Sequence, residues 1–264
     1  MSKATAIRGL SARASLREAG PRLLAARLRD VSKLESALPA AEAVHDMRIA
    51  LRRLRAALRL LRRRELDGPV KELQDALGQV RDLQLQIGWL RERDKQLASR
   101  REKLLASKRA RLDRALEKWR AQTLPSLLSP AKSSGKLGGG RTRKMLRKRL
   151  RRFQERLDAA VSRPQPAILH RVRISVKQLR YLLELTEKAL PPARRLLPEL
   201  LPLQKALGEL HDVDLRIQLL RSHRLAALLR EQKETRTQLL KVVAAELSRW
   251  KTASLAPHAR KTLR

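Results

Sequence analysis

Apolar residues return along this chain every three or four positions, the spacing of one helix face, and the strict alternation that marks a half-buried strand is absent. Between positions 44 and 61 the pattern is cleanest: Val44, Met47, Leu51, Leu54, Leu58 and Leu61 form one face that must turn toward a core. Displaced from it by one position runs a second row, His45, Arg48, Arg52, Arg55, Arg59 and Arg62, in which every member is basic. A row so placed borders the core and lies in a groove between neighbouring helices rather than on the far, hydrated side. Helix-breaking residues at Gly20-Pro21, Pro39, Gly68-Pro69, Pro164 to Pro166, Pro191-Pro192 and Pro257 cut the chain into helices of several turns. The stretch from Pro125 to Gly140, with Ser133-Ser134-Gly135 and Gly138-Gly139-Gly140, has the composition of a flexible linker. Leu, Ala, Arg, Lys, Glu and Gln dominate and aromatics make up 2%, so the fold class expected is all-α.

Three blocks of sequence occur twice, in the same order. Val44-His45-Asp46-Met47-Arg48-Ile49-Ala50-Leu51-Arg52-Arg53-Leu54-Arg55 returns as Leu169-His170-Arg171-Val172-Arg173-Ile174-Ser175-Val176-Lys177-Gln178-Leu179-Arg180. Leu73-Gln74-Asp75-Ala76-Leu77-Gly78-Gln79-Val80-Arg81-Asp82 returns as Leu203-Gln204-Lys205-Ala206-Leu207-Gly208-Glu209-Leu210-His211-Asp212. More weakly, Leu116-Glu117-Lys118-Trp119 matches Leu247-Ser248-Arg249-Trp250. Chance similarity of two Leu/Arg-rich helices does not explain a conserved order of blocks. We therefore expect an internal duplication: a helical repeat over about 10–124, a linker over 125–140 and a second repeat over about 141–256, each of about four helices.

Charge narrows the choice of function. The 264 residues carry 62 Lys and Arg against 26 Asp and Glu, a formal net charge of +36. Such an excess repels itself in a compact fold and calls for a partner of dense negative charge: nucleic acid, an anionic lipid surface or a free polyphosphate. Cysteine is absent, which removes disulfides, thiolate metal sites and thiol nucleophiles. Met1 to Leu16 lacks the apolar run of a secretory signal, and no segment has the length of uncharged residues that a membrane span needs, so a soluble, cytoplasmic protein is expected.

The candidate binding residues follow from the rows. The first block supplies His45, Arg48, Arg52, Arg55 and Arg59, and its recurrence supplies His170, Arg173, Lys177 and Arg180. The helix preceding each offers Arg22, Arg29 and Lys33 in one half and Lys144, Lys148 and Arg151 in the other. Arg81 and His211 lie three residues after Gly78 and Gly208 and add a donor to each. Arginine suits oxyanions because its planar fork makes two parallel hydrogen bonds, and a histidine beside a polyanion gains charge. The plainer alternative is a set of hydrated helix faces held by scattered ion pairs, but the first row contains no Glu. His223 and His258 have no such context. The two internal glycines read as tight helix crossings or, less favoured, as close approach of a ligand. Asp46, Asp82, Asp212 and Asp214 are placed to orient Arg or His. No HExxH, Walker-type GxxxxGK or nucleophilic triad occurs, so no catalytic residue, metal site or cofactor is predicted and the protein is expected not to be an enzyme.

The His45 to Arg55 motif, the His170 to Tyr181 segment and Leu207-Gly208-Glu209-Leu210-His211-Asp212-Val213-Asp214 together resemble the CHAD domain, a histidine-containing α-helical family, over most of the chain. The resemblance implies two pseudo-symmetric four-helix bundles that enclose a basic central cavity or pore, and it implies binding of inorganic polyphosphate and association with polyphosphate granules. Its binding positions would fall on His45, Arg48, Arg52, Arg55, His170, Arg173, Lys177, Arg180 and His211. One departure is Gln84, which stands where the later block has Asp214 and breaks a symmetric carboxylate role. The Glu-x-Glu-x-Lys signature of the enzyme domain that often neighbours this family is absent.

Two other readings remain. Sequence-independent nucleic-acid binding is permitted by charge, but Trp89, Trp119, Phe153, Tyr181 and Trp250 are too few and scattered to stack bases. A scaffold attached to anionic lipid would call for one exposed apolar face opposite the cations, and the rows border cores instead. From the rows alone, replacing Arg48, Arg52, Arg173 and Arg180 by Ala is expected to remove polyanion affinity while leaving the helices intact.

Overall fold

A computed structural model describes residues 4–7, 9–129 and 134–263. The described residues are helical apart from short connections and an isolated antiparallel bridge between Ser15 and Lys136. The all-α expectation therefore holds. The chain divides into two compact units, Met1–Leu137 and Gly138–Arg264.

The first unit is built on α1 (Leu16–Glu35), α2 (Ala41–Leu60), α3 (Asp67–Leu90) and α4 (Lys95–Lys118), which runs through a π-helical turn (Trp119–Thr123) into α5 (Leu124–Leu128). Successive helices pack side by side, as short connections require. The apolar row read from the sequence is the core: Val44, Met47, Leu51, Leu54 and Leu58 have no exposed surface and Leu61 has 1%. Ser15 caps α1 through its hydroxyl, which accepts from the Arg17 N–H, and Asp94 caps α4 by accepting from the Leu97 N–H. Pro21, expected to stop a helix, lies inside α1 near its start, where a missing N–H removes one hydrogen bond and the rest of the helix is undisturbed. The predicted linker likewise contains structure: α5 occupies its beginning, Gly140 opens the next helix, and Pro130 to Ser133 lie outside the described residues.

The second unit comprises α6 (Gly140–Ser162), α7 (Pro166–Thr186), α8 (Pro191–Ser222), α9 (Ala226–Thr252) and the short α10 (Leu255–Thr262). Pro166 and Pro191 open their helices at the first position, where no N–H is needed. Pro198 and Pro202 lie within α8, which the reading from sequence did not anticipate. Between them the Glu199 carbonyl accepts from Arg249 Nη2 at 2.9 Å and from the Trp250 indole at 3.2 Å. The Trp250 ring meets Phe153 edge to face at 5.1 Å, and both rings are buried. This contact ties α6 and α9 together, and Arg249 adds an ion pair to Glu199 at 2.6 Å.

Trp250→Phe removes the bond to the Glu199 carbonyl and part of the ring contact with Phe153. We expect it to lower the unfolding free energy by about 1–2 kcal/mol, read as an earlier urea midpoint.

Candidate functional site

His45 is the fifth residue of α2 and His170 the fifth of α7, so each lies one turn into its helix with its basic row running away from it. In the first unit α3 brings Arg81 up to this point: its Nη1 donates to the Ala41 carbonyl at 3.3 Å, and its buried Nε meets no partner among the described residues. Arg48, half-buried, reaches toward α3, lies 3.6 Å from Asp82 and passes over Gly78. A methyl group on Gly78 would meet the Arg48 guanidinium at 3.4 Å, whereas one on Gly208 would meet nothing within 4 Å. The glycines thus do not mark a tight crossing of helix backbones, the structural explanation favoured from sequence. Arg52, one turn along from Arg48, is half-buried and makes no hydrogen bond or ion pair with the described residues.

The far end of the row is occupied differently. Arg55 makes a two-pronged contact with Asp67, Nε to Oδ1 at 2.9 Å and Nη2 to Oδ2 at 3.0 Å, and also donates to Gln74 at 3.1 Å. Arg59 joins the same Asp67 oxygen at 2.9 Å. Burial pushes the Asp67 carboxyl up, but the hydrogen bonds from Arg55 and Arg59 outweigh it and hold the group below the usual carboxylate range. Arg62, last in the row, is exposed beyond the end of α2.

In the second unit α7 and α8 form the corresponding pair. The His170 and His211 rings are 5.6 Å apart, with Arg173 and Lys177 following on α7. Arg180, like Arg55, is directed inward: it is 5% exposed, donates to Glu184 at 2.7 Å and reaches Gln204 of α8 at 3.0 Å. Gln74 and Gln204 occupy the same place in the second repeated block, a signal the sequence offered but which charge-based reading passes over. Gln84 donates to the Pro39 carbonyl at 3.0 Å, while Asp214 accepts from Arg236 of α9 at 2.6 Å. The two positions therefore serve local packing, each in its own way, and do not orient the histidines.

Of the remaining candidates, Arg22, Arg29 and Lys33 are exposed on α1 and make no hydrogen bond or ion pair with the described residues. Lys144, Lys148 and Arg151 are exposed on α6, where they face α10 across a cleft, apart from the His170 group. Arg147 of α6 lines that cleft as well, and so do Arg260 and Lys261 of α10, a helix that is short and belongs to neither repeated block and was therefore not singled out from sequence.

Electrostatics mark the two histidines. Burial lowers the pKa of His45 from 6.5, Arg81 lowers it further, and Asp46 only partly opposes. Burial also lowers that of His170, helped by Arg173 and Lys177. Both shifts favour the neutral imidazole, through burial first and the neighbouring cations second.

A family model for the CHAD domain matches residues 22–221. The chain belongs to the CHAD domain family. The match takes in α1 nearly from its start through α8, including every member of both His-headed rows, and leaves α9 and α10 outside it. The crystal structure of the CHAD domain from the plant Ricinus communis is similar in fold, with a TM-score of 0.67 at 24% identity, covering 99% of this chain and 96% of that one. No curated protein matches. Among the described residues of this CHAD domain no helix is long and apolar enough to cross a membrane.

Two consequences are measurable. Arg180→Ala strands Glu184 and Gln204 at the core edge and is expected to cost about 2–4 kcal/mol, against within ~0.5 kcal/mol for Arg52→Ala, by denaturant titration. Arg180 is accordingly removed from the set of substitutions expected to spare the fold. For the histidines, a folded-state pKa below the unfolded 6.5 contributes stability that is present above pH 6.5 and lost as the pH falls through the folded value. The loss between pH 7.5 and 5 should be smaller in the His45→Gln, His170→Gln double variant.

Proposed function

We propose that this CHAD domain binds inorganic polyphosphate, without catalysis, through two groups of side chains. In the first unit these are His45, Arg48, Arg52 and Arg81, and in the second His170, Arg173, Lys177 and His211. The observation that carries the reading is the placement of cations around a histidine in both units, where burial first and those cations second lower the imidazole pKa. A repeating oxyanion offsets that repulsion at closely spaced points, and arginine forks can bind it two oxygens at a time. Arg55, Arg59 and Arg180 then act indirectly, by locking α2 to α3 and α7 to α8 at the other end of each row. The shared position of the histidines and the shared use of Gln74 and Gln204 support descent of the two halves from one duplicated unit.

Gly78 and Gly208 fit this assignment. Glycine costs a helix roughly 1 kcal/mol relative to alanine; at Gly78 the bare backbone lets the Arg48 guanidinium lie against α3, and at Gly208 it leaves open space beside the cationic group. The aromatic side chains speak against base stacking: Trp119, Phe153, Tyr181 and Trp250 are buried and Arg93 covers the Trp89 ring at 4.9 Å. Recruitment to polyphosphate granules in the cytoplasm is the cellular role that follows from such binding.

Thermal unfolding with long-chain polyphosphate, and with duplex DNA at equal phosphate concentration, tests this at near-physiological salt. Polyphosphate should stabilise the fold by about 2.7 kcal/mol at a hundredfold excess over its dissociation constant, with little effect of DNA. The Arg52→Ala, Lys177→Ala double variant should lose most of the shift. Equal shifts from the two polymers would reduce the site to a general polyanion surface.

A further inference from the structure

Pro257, Arg260 and Lys261 of α10 border the cationic cleft with α6, while Leu255, His258, Ala259, Thr262 and, just past the helix end, Leu263 fall on another face and border a different cavity, of about 350 Å³. Its opposite wall is the start of α8, from Leu190 and Pro192 to Leu196, and Arg143 of α6 borders it as well. Most of this wall is hydrocarbon: Leu190, Leu196, Ala259 and Leu263 are buried and Leu255 is half-buried. The polar side chains are confined to Arg143, Arg195, His258 and Thr262, and among the described residues no carboxylate lines the cavity.

The chain accounts for both the space and its character. Pro191 and Pro192 take the first two positions of α8, so this wall carries two fewer N–H donors than an ordinary helix start and stays apolar. Leu255, Ala259 and Leu263 stand one turn apart, and the middle one, with a single side-chain carbon, leaves the space before Leu196 unfilled. Arg143 is fixed beside the cavity by its Nε, which donates to the Gly138 carbonyl at 3.0 Å. The Thr262 hydroxyl donates to the Ala259 carbonyl at 3.0 Å. Arg195 is exposed, and neither its guanidinium nor the His258 imidazole makes a hydrogen bond or ion pair with the described residues. Walls of this kind bond water poorly and gain by accepting hydrocarbon, while an arginine at the rim gains by accepting an oxyanion.

We infer that the cavity between α8 and α10 binds a small monocarboxylate with an apolar body, of the class of a medium-chain fatty acid, its chain against Leu190, Leu196, Leu255 and Leu263 and its carboxylate on the Arg195 guanidinium. A volume near the lower end of the roughly 300–1,000 Å³ usual for small-ligand sites favours a short body over a long acyl chain. One negative charge suits this rim, whereas a multiply charged anion would set most of its oxygens against hydrocarbon. The site shares no residue with the His45 and His170 groups, and its occupancy is independent of polyphosphate binding.

Leucine-methyl NMR of the whole chain, titrated with octanoate at constant pH and ionic strength, tests this. Saturable shifts are expected at Leu190, Leu196, Leu255 and Leu263, with affinity rising about fourfold for each methylene added from hexanoate to octanoate. Octanol should bind more weakly than octanoate by about three- to tenfold, the contribution of the charged contact at a partly hydrated rim. Arg195→Gln should bring octanoate down to the affinity of octanol and leave octanol unchanged. Arg100→Gln, an equal change of charge at an exposed α4 arginine that makes no bond with the described residues, should bind both as the parent does. The absence of saturable shifts at these leucines in the parent, equal affinity for octanoate and octanol, or an equal loss in the two arginine variants would overturn the assignment.

Discussion

Placing a row of arginines one position away from a buried row puts like charges where the protein interior screens them less than open water does, and the rest of each unit is arranged around that repulsion. At one end of the α2 row it is neutralised internally. Asp67 takes Arg55 and Arg59 together, and Glu184 with Gln204 takes Arg180 in the second unit. At the other end of the α2 row Asp46 and Asp82 offset the cations only in part, and the residue at the head of each row is a histidine, the one basic side chain able to give up its charge near neutral pH. A lysine at position 45 or 170 would have to keep its proton against the same neighbours or desolvate it at greater cost.

This division gives each helix pair a tightly bonded end and a histidine-headed end. The bonds from Arg55 to Asp67 and Gln74 fix the register of α2 against α3, which sets where Arg48 and Arg81 stand. In the second unit the same task falls to Arg180 and Gln204, backed by the Phe153–Trp250 contact and the Glu199 carbonyl between the prolines of α8. Ordering the cations in advance removes part of the side-chain entropy that a ligand would otherwise have to overcome.

Much of this was legible in the sequence because a helix has one period. Every member of the row from Val44 to Leu61 is buried, although the core of α2 also takes in Ile49, Ala50, Ala57 and Leu60, which the row left out, and the basic row beside it located the histidines. What periodicity cannot supply is depth along a row: Arg52 and Arg55 share a face, yet among the described residues one makes no hydrogen bond or ion pair and the other is enclosed by Asp67, which is fixed by the start of α3. Nor does a row reveal what it faces. Lys144, Lys148 and Arg151 resembled a counterpart of Arg22, Arg29 and Lys33, but α10 covers their side and makes a cleft of them. Pro21 and the paired prolines of α8 passed for breaks or went unnoticed because a proline's effect depends on where in a helix it falls.

The neutral histidines have a consequence for the solution around the protein. Linkage is reciprocal: an anion that offset the cations' repulsion around His45 and His170 would raise their lowered pKa values in part, burial being the larger cause and remaining, and its binding would draw protons toward the imidazoles. Occupancy then consumes acid, and a concentrated store of such domains on a phosphate polymer would act as a buffer whose capacity rises as the store fills.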